Sequence, residues 1–99
     1  NVFIVKEGAI STPPLDNQIL PGITRWLIIN ILHSHSDFKV QERIISKDEL
    51  LDADEVWITS ATKEVGPVVK VNGKLVGDGK PGAVWQQVQS LFTKHKFDY

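Results

Sequence analysis

Three observations on this 99-residue chain predict a mixed α/β fold. Short apolar strand patterns recur along its length, separated by turn residues. Two longer segments, from about Ile23 to His35 and from about Pro81 to Lys94, read as helices. The strands come mainly as hairpins, without a regular strand–helix–strand rhythm, which argues against a doubly wound parallel sheet.

Val2 to Val5 is an unbroken apolar run and reads as a strand. Lys6-Glu7-Gly8 is a turn, and Ala9 to Thr12 returns as the second strand of a hairpin. Pro13-Pro14 ends that strand, because proline donates nothing to a ladder. Asp16-Asn17-Gln18 is a polar loop leading to Leu20-Pro21-Gly22. The helix from about Ile23 to His35 is apolar on most sides, which predicts burial on more than one face; Ser34, Ser36 and Asp37 end it. Phe38 to Ile45 alternates as a strand through Phe38, Val40, Glu42 and Ile44. Ser46-Lys47-Asp48-Glu49 spells a capping box, in which the serine hydroxyl and the glutamate side chain each satisfy the other's backbone N–H. The short helix it opens ends near Leu51 to Ala53.

Glu55 to Thr59 is the next strand, built on Val56, Trp57 and Ile58. Pro67 to Val71 is another, joined through Asn72-Gly73 to Lys74-Leu75-Val76. Asn-Gly is a strong hairpin signal because both residues accept positive φ. The last helix lines up Val84, Val88, Leu91 and Phe92 on one face with Trp85 at its edge, and Pro81 suits its first turn. The tail from Lys96 is expected to fray.

Composition narrows the function. Hydrophobic residues make up 41% and charged residues 23%, ordinary values for a globular domain. The net charge is −1 without any basic cluster, which excludes sequence-independent nucleic-acid binding. No cysteine is present, so disulfides and thiolate metal sites are excluded; this fits a cytoplasmic setting. The longest apolar run, Trp26 to Leu32, is interrupted by Asn30 and falls far short of the ~20 residues of a membrane helix. The chain begins with Asn, inside a strand pattern, and holds no methionine. Domain boundaries favour polar linkers, so the expectation is a C-terminal piece of a longer protein.

The most informative stretch is Gly22-Ile23-Thr24-Arg25, directly after Leu20-Pro21. Its plain reading is a helix start with a polar residue near the cap. Its functional reading is an anion site, since a glycine turn opening into a helix gathers unpaired N–H groups at the positive end of the dipole. Thr24 can add a hydroxyl. A second hydroxyl cluster, Thr59-Ser60-Ala61-Thr62, follows an apolar strand and could meet the same anion.

These segments also carry a resemblance. Asn1-Val2-Phe3-Ile4, then Pro13 to Arg25, then Thr59 to Val68, closed by Gly77-Asp78-Gly79-Lys80-Pro81-Gly82, resemble the class IV pyridoxal-phosphate aminotransferases in order over nearly the whole chain. The ending is most similar to the D-amino acid (D-alanine) branch. The resemblance implies the mixed-sheet pseudo-barrel large domain of fold type IV enzymes, lacking its first strands, with residues 1–99 as its C-terminal segment. It places the coenzyme phosphate on the backbone of Ile23 and Thr24, beside Gly22, and on Ser60, Ala61 and Thr62. Leu20 would pack against a face of the coenzyme ring. Ala61 departs from the pattern, because many members carry a hydroxyl there. Its backbone N–H can still donate, and the Ser60 or Thr62 hydroxyl can substitute.

In the family, a lysine binds the coenzyme and a glutamate pairs with its ring nitrogen; both lie upstream of Asn1. Lys63, Lys70, Lys74 and Lys80 do not match that lysine, so the 99 residues alone should be inactive. The resemblance implies a homodimeric transaminase passing an amino group from a D-amino acid such as D-alanine to a 2-oxo acid. Branched-chain L-amino acid aminotransferase, aminodeoxychorismate lyase and a non-catalytic domain of the same fold stay open.

The remaining motifs point elsewhere only weakly. Ser60-Ala61-Thr62-Lys63 spells Ser-x-x-Lys, but a penicillin-recognising enzyme needs that serine on a helix start and a later Lys-Thr-Gly. Gly77 to Gly82 matches Gly-x-Gly-x-x-Gly without the strand–helix–strand unit or the downstream acid of a dinucleotide site; it reads as a loop positioning the last helix. His33 and His35 are two apart and do not share a helix face, and His95 lies in the tail, so no metal site is expected. Asp52-Ala53-Asp54-Glu55 reads as a solvated helix end, and Arg25 as one half of a structural ion pair.

Overall fold

The structure is a computed structural model that describes residues 1–14, 22–60 and 64–98. The chain forms β1 (Val2–Lys6), β2 (Ala9–Thr12), α1 (Ile23–His35), β3 (Val40–Glu42), α2 (Lys47–Asp52), β4 (Glu55–Ser60), β5 (Glu64–Val68), β6 (Lys70–Val71), β7 (Lys74–Leu75) and α3 (Ala83–His95). The main sheet has the order β3-β2-β1-β4-β5, and β6-β7 form a separate hairpin. The sheet is antiparallel except for β2 and β3, which run parallel with α1 as their crossover.

Two turns follow directly from their residues. Glu7 and Gly8 have φ of 52° and 81°, and Asn72 and Gly73 have 50° and 81°. Positive φ at both central residues gives the twist that a two-residue hairpin needs.

Alternation along the strands splits the core into two layers. Phe3, Val5, Ile10, Trp57 and Val65 pack under α1 and α3, where Ile28, Ile31, Leu32, Val88 and Phe92 meet them. Phe3 and Trp57, partners across β1 and β4, stack with ring centroids 5.2 Å apart. On the other face Ile4 and Val56 pack with Ala53 and Val76, flanked by Leu50 and Val71. The sheet thus lies between the two long helices and a smaller layer made of α2 and the β6-β7 hairpin.

Several elements differ from the sequence-based expectation. The strand expected from Phe38 to Ile45 is only three residues long, and Ile44 is 84% exposed. Its length is set by its partner: β2 ends at Thr12, whose carbonyl takes the Arg43 N–H at 2.9 Å, and Pro13 has no N–H to continue the ladder. The strand expected from Pro67 to Val71 instead begins at Glu64 and breaks after Val68. Pro67 is tolerated because β5 is an edge strand. Helix α1 buries the stripe Ile28, Ile31 and Leu32, but Ile23 and Trp26 at its start are 77% and 53% exposed, so burial on several faces does not extend to that end. Helix α3 begins at Ala83 with Gly82 as its N-cap, leaving Pro81 just outside. In the tail expected to fray, Phe97 is 89% exposed, while side-chain contacts continue past the end of α3. His95 bonds Asp98, and Lys96 bonds Glu64 at 3.1 Å.

Candidate functional site

The start of β1, the end of β4 and the start of α1 meet at one end of the sheet. Val2 pairs with Ile58, and the Thr59 N–H donates to the Asn1 carbonyl at 2.9 Å. A Cβ on Gly22 would lie 3.0 Å from Asn1 Nδ2, so the missing side chain lets the turn approach β1 closely. Thr24 Oγ1 donates to the Ser60 carbonyl at 3.4 Å. Gly22, Ile23, Thr24 and Ser60 are therefore brought together, although 36 positions separate Thr24 from Ser60 in the sequence. Leu20, Ala61 and Thr62 lie outside the described residues.

Gly22 is the N-cap of α1, with extended backbone (φ −92°, ψ 135°) and no side-chain cap. The first helical bond runs from the Trp26 N–H to the Gly22 carbonyl at 3.1 Å. The amides of Ile23, Thr24 and Arg25 precede it and find no acceptor among the described residues. No acidic residue occupies the first turn. Three donors without an acceptor among the described residues, at a positive helix end flanked by exposed side chains, are an arrangement able to bind an anion. The Thr24 hydroxyl differs from expectation in one respect: its proton points at Ser60, so an anion would have to compete for it.

Arg25 shares this first turn but does not face the anion position. Its side chain is 4% exposed, and Nη2 donates to Glu42 Oε1 at 2.8 Å and to the Pro13 carbonyl at 3.0 Å. It is the structural ion pair that the sequence suggested, and it ties α1 to β3.

At the N-terminus of α3 the comparable donors are occupied. Glu55, at the start of β4, sends its carboxylate to α3. Oε2 accepts the Val84 N–H at 3.0 Å and Oε1 accepts the Trp85 N–H at 2.8 Å. A Cβ on Gly82 would sit 2.1 Å from Glu55 Cδ, so only glycine leaves room for this carboxylate. The Gly77 to Gly82 loop does position α3, as expected, and it also lies against Asp54: a Cβ on Gly77 would fall 2.6 Å from the Asp54 carbonyl.

The acidic stretch 52–55 is thus not merely a solvated helix end. Asp54 Oδ2 accepts the Glu7 N–H at 2.8 Å, and Asp52 and Asp54 both pair with Lys6. The bond from Asp52, then the charges of Asp52 and Asp54, hold the Lys6 ammonium above its usual pKa despite a partial desolvation cost. At the capping box, the bond from Arg43 holds the Glu49 carboxyl below its usual value, with the Ser46 N–H assisting. Both groups are remote from the start of α1 and mark no site there.

An open groove of about 860 Å³ runs between the end of α1 and α3, past Phe38, Gln86, Ser90 and Leu91. At 1.5 Å per residue, α1 separates it from Gly22 by roughly 20 Å. It lies apart from the start of α1. No helix among the described residues is long and apolar enough to cross a membrane.

Residues 1–71 match the amino-transferase class IV family. Over 95 residues the chain is 44% identical to the D-alanine aminotransferase of Staphylococcus haemolyticus, covering 96% of this chain and 33% of that protein. Among solved structures, the branched-chain amino acid aminotransferase of Escherichia coli superposes with a TM-score of 0.89 at 38% identity, over 95% of this chain and 31% of that one. An aminotransferase from Brucella abortus, solved bound to the co-factor PLP, gives a TM-score of 0.87 at 26% identity, over 95% of this chain and 32% of that one. The chain spans about a third of the length of the curated relatives it matches. The mixed α/β sheet and its helices have the fold of the fold type IV aminotransferases. By sequence and by fold, the chain belongs to the class IV aminotransferase family.

Proposed function

We propose that residues 1–99 are the C-terminal segment of the large domain of a pyridoxal-phosphate transaminase, and that they hold the coenzyme phosphate. The observation that carries this reading is the Thr24–Ser60 contact, which joins the open start of α1 to the end of β4. The residues fit a phosphate group: the Ile23 and Thr24 amides supply donors without described acceptors, and Gly22 keeps the turn close to the sheet. Ala61 and Thr62 continue the same segment beyond Ser60, and their amides would complete the cradle. Leu20, just before the turn, would support the ring. When bound, the coenzyme supplies an electron sink for amino-group transfer. This segment's part is to bind and orient it. The reactive lysine and the ring-nitrogen glutamate belong to the rest of the protein.

An anion at a helix start gains about 0.3–1 kcal/mol, and up to ~2 in a partly buried site. That orients a coenzyme but does not hold it unaided, so the remaining affinity must come from other parts of the intact enzyme.

The amino donor in this reading is a D-amino acid, D-alanine above all, and the acceptor a 2-oxo acid, in a cytoplasmic homodimer. The D-alanine aminotransferases among the relatives support it. A branched-chain L-amino acid donor is the second reading, favoured by the superposition on the Escherichia coli enzyme. Assay of the intact protein with 2-oxoglutarate and either D-alanine or L-leucine separates the two. The first reading predicts turnover with D-alanine and little with L-leucine, and the reverse result replaces it with the second. Failure of coenzyme binding in the intact protein would overturn both.

A further inference from the structure

We propose that His35, His95 and Asp98 form a binding site for a divalent ion of the Zn²⁺ class, clasping the C-terminal ends of α1 and α3. His35 is the last residue of α1 and His95 the last of α3. The two helices start beside opposite ends of β4 and converge here. The imidazole rings lie face to face, with centroids 3.6 Å apart and planes within 4°. Asp98, in the turn after α3, places Oδ2 2.8 Å from His95 Nδ1. One ligand atom from each of the three residues lies within 4.8 Å of the others.

The three residues supply donor types that suit a metal. With Zn–N bonds of ~2.0–2.1 Å, neighbouring ligands of a tetrahedral ion stand about 3.4 Å apart. The stacked rings hold their lone pairs parallel, so the exposed His35 ring must turn out of the stack to meet the ion. Binding replaces the His95 Nδ1–Asp98 hydrogen bond: the imidazole proton then sits on Nε2, and Nδ1 and the carboxylate turn their lone pairs to the ion. Two imidazoles and one carboxylate select Zn²⁺, Ni²⁺ or Cu²⁺ over Mg²⁺ and Ca²⁺. The negative ends of two helix dipoles point to the same place and favour a cation there. The spacing of His33 and His35 concealed the site, because the second histidine comes from the other helix.

The test is calorimetric titration of Zn²⁺ into the protein, with Mg²⁺ as a control, on wild type and on His35→Ala, His95→Ala, Asp98→Asn and His33→Ala. The expected result is one Zn²⁺ per chain. His35→Ala and His95→Ala should each bind at least about tenfold more weakly, a difference of ~1.4 kcal/mol. Asp98→Asn should weaken binding several-fold, and His33→Ala should leave it unchanged. Zn²⁺ should also raise the melting temperature of wild type and not of His35→Ala. That variant alters an exposed side chain, so it keeps the test valid should His95→Ala fail to fold. Absence of Zn²⁺ binding to wild type, undiminished binding by His35→Ala, or loss of binding in His33→Ala would each overturn the proposal.

Discussion

The two long helices start alike and are completed differently. Helices α1 and α3 each have 13 residues, a glycine N-cap, no side-chain cap and no acidic residue in the first turn. At α3 the exposed amides are taken by Glu55, a carboxylate from the first residue of β4. At α1, by the last residue of the same strand, no acceptor is described for the corresponding amides. A helix N-terminus in this fold is therefore not left open by default. A built-in carboxylate closes one; at the other, the proposed anion site, the amides have no acceptor among the described residues. Helix α2 is a third case, closed by its own sequence: Ser46 Oγ accepts the Glu49 N–H at 3.1 Å and Glu49 Oε1 accepts the Ser46 N–H at 3.2 Å.

The largest effect should come from opening the closed end. Glu55→Ala removes two charge-assisted bonds, each worth ~1.5–3 kcal/mol before the freed amides are rehydrated, and should cost about 2–3 kcal/mol in denaturant unfolding. Gly82→Ala drives a Cβ into the same carboxylate and should cost a similar amount. The double variant should be no worse than either single one, because both remove one interaction. Additive losses would show that Glu55 and Gly82 act independently.

Removing the local cap comes next. Ser46→Ala should destabilise the protein by about 1 kcal/mol, within the ~0.5–2 range for lost caps, with no change in coenzyme binding. Thr24→Val removes the α1–β4 bond at the open end. It should lower stability by ~0.5–1.5 kcal/mol and weaken coenzyme binding by roughly 2- to 12-fold in the intact protein. A stability loss without a binding loss would make Thr24 a structural residue only.

The smallest effect is on pH. The Glu49 carboxyl is held below its usual value of 4.5. A depressed folded-state pKa adds stability that is fully present above that usual value and lost as pH falls through the lower folded value. Below about pH 4.5 the start of α2 should therefore loosen in acid, visible as faster amide exchange there, and Glu49→Gln should remove that part of the pH dependence.

What the sequence disclosed was whatever one segment decides alone. The Glu7-Gly8 and Asn72-Gly73 turns, the extent of α1 and the Ser46–Glu49 box all depend on residues a few positions apart. What it concealed depends on partners distant in sequence. Strand β3 stops where Pro13 stops its neighbour. Glu55 looks like a solvated acid until Gly82 and α3 are placed over it. His35 meets His95 only because two helices converge. The proposed anion site lies between these cases: the glycine turn and the Thr59–Thr62 hydroxyl cluster are local signals, but preferring an anion role over a plain helix start required the family resemblance, and Leu20, Ala61 and Thr62 lie outside the described residues.

The contrast between the two helix starts is tested most directly by following backbone amide resonances of the labelled protein while inorganic phosphate or pyridoxal 5'-phosphate is added. The Ile23 and Thr24 amides should shift and saturate, while those of Val84 and Trp85 stay in place; in Glu55→Ala, Val84 and Trp85 should begin to respond to phosphate. Unmoved Ile23 and Thr24 amides, or Val84 and Trp85 shifting equally in wild type, would contradict the assignment of the α1 start as the anion site.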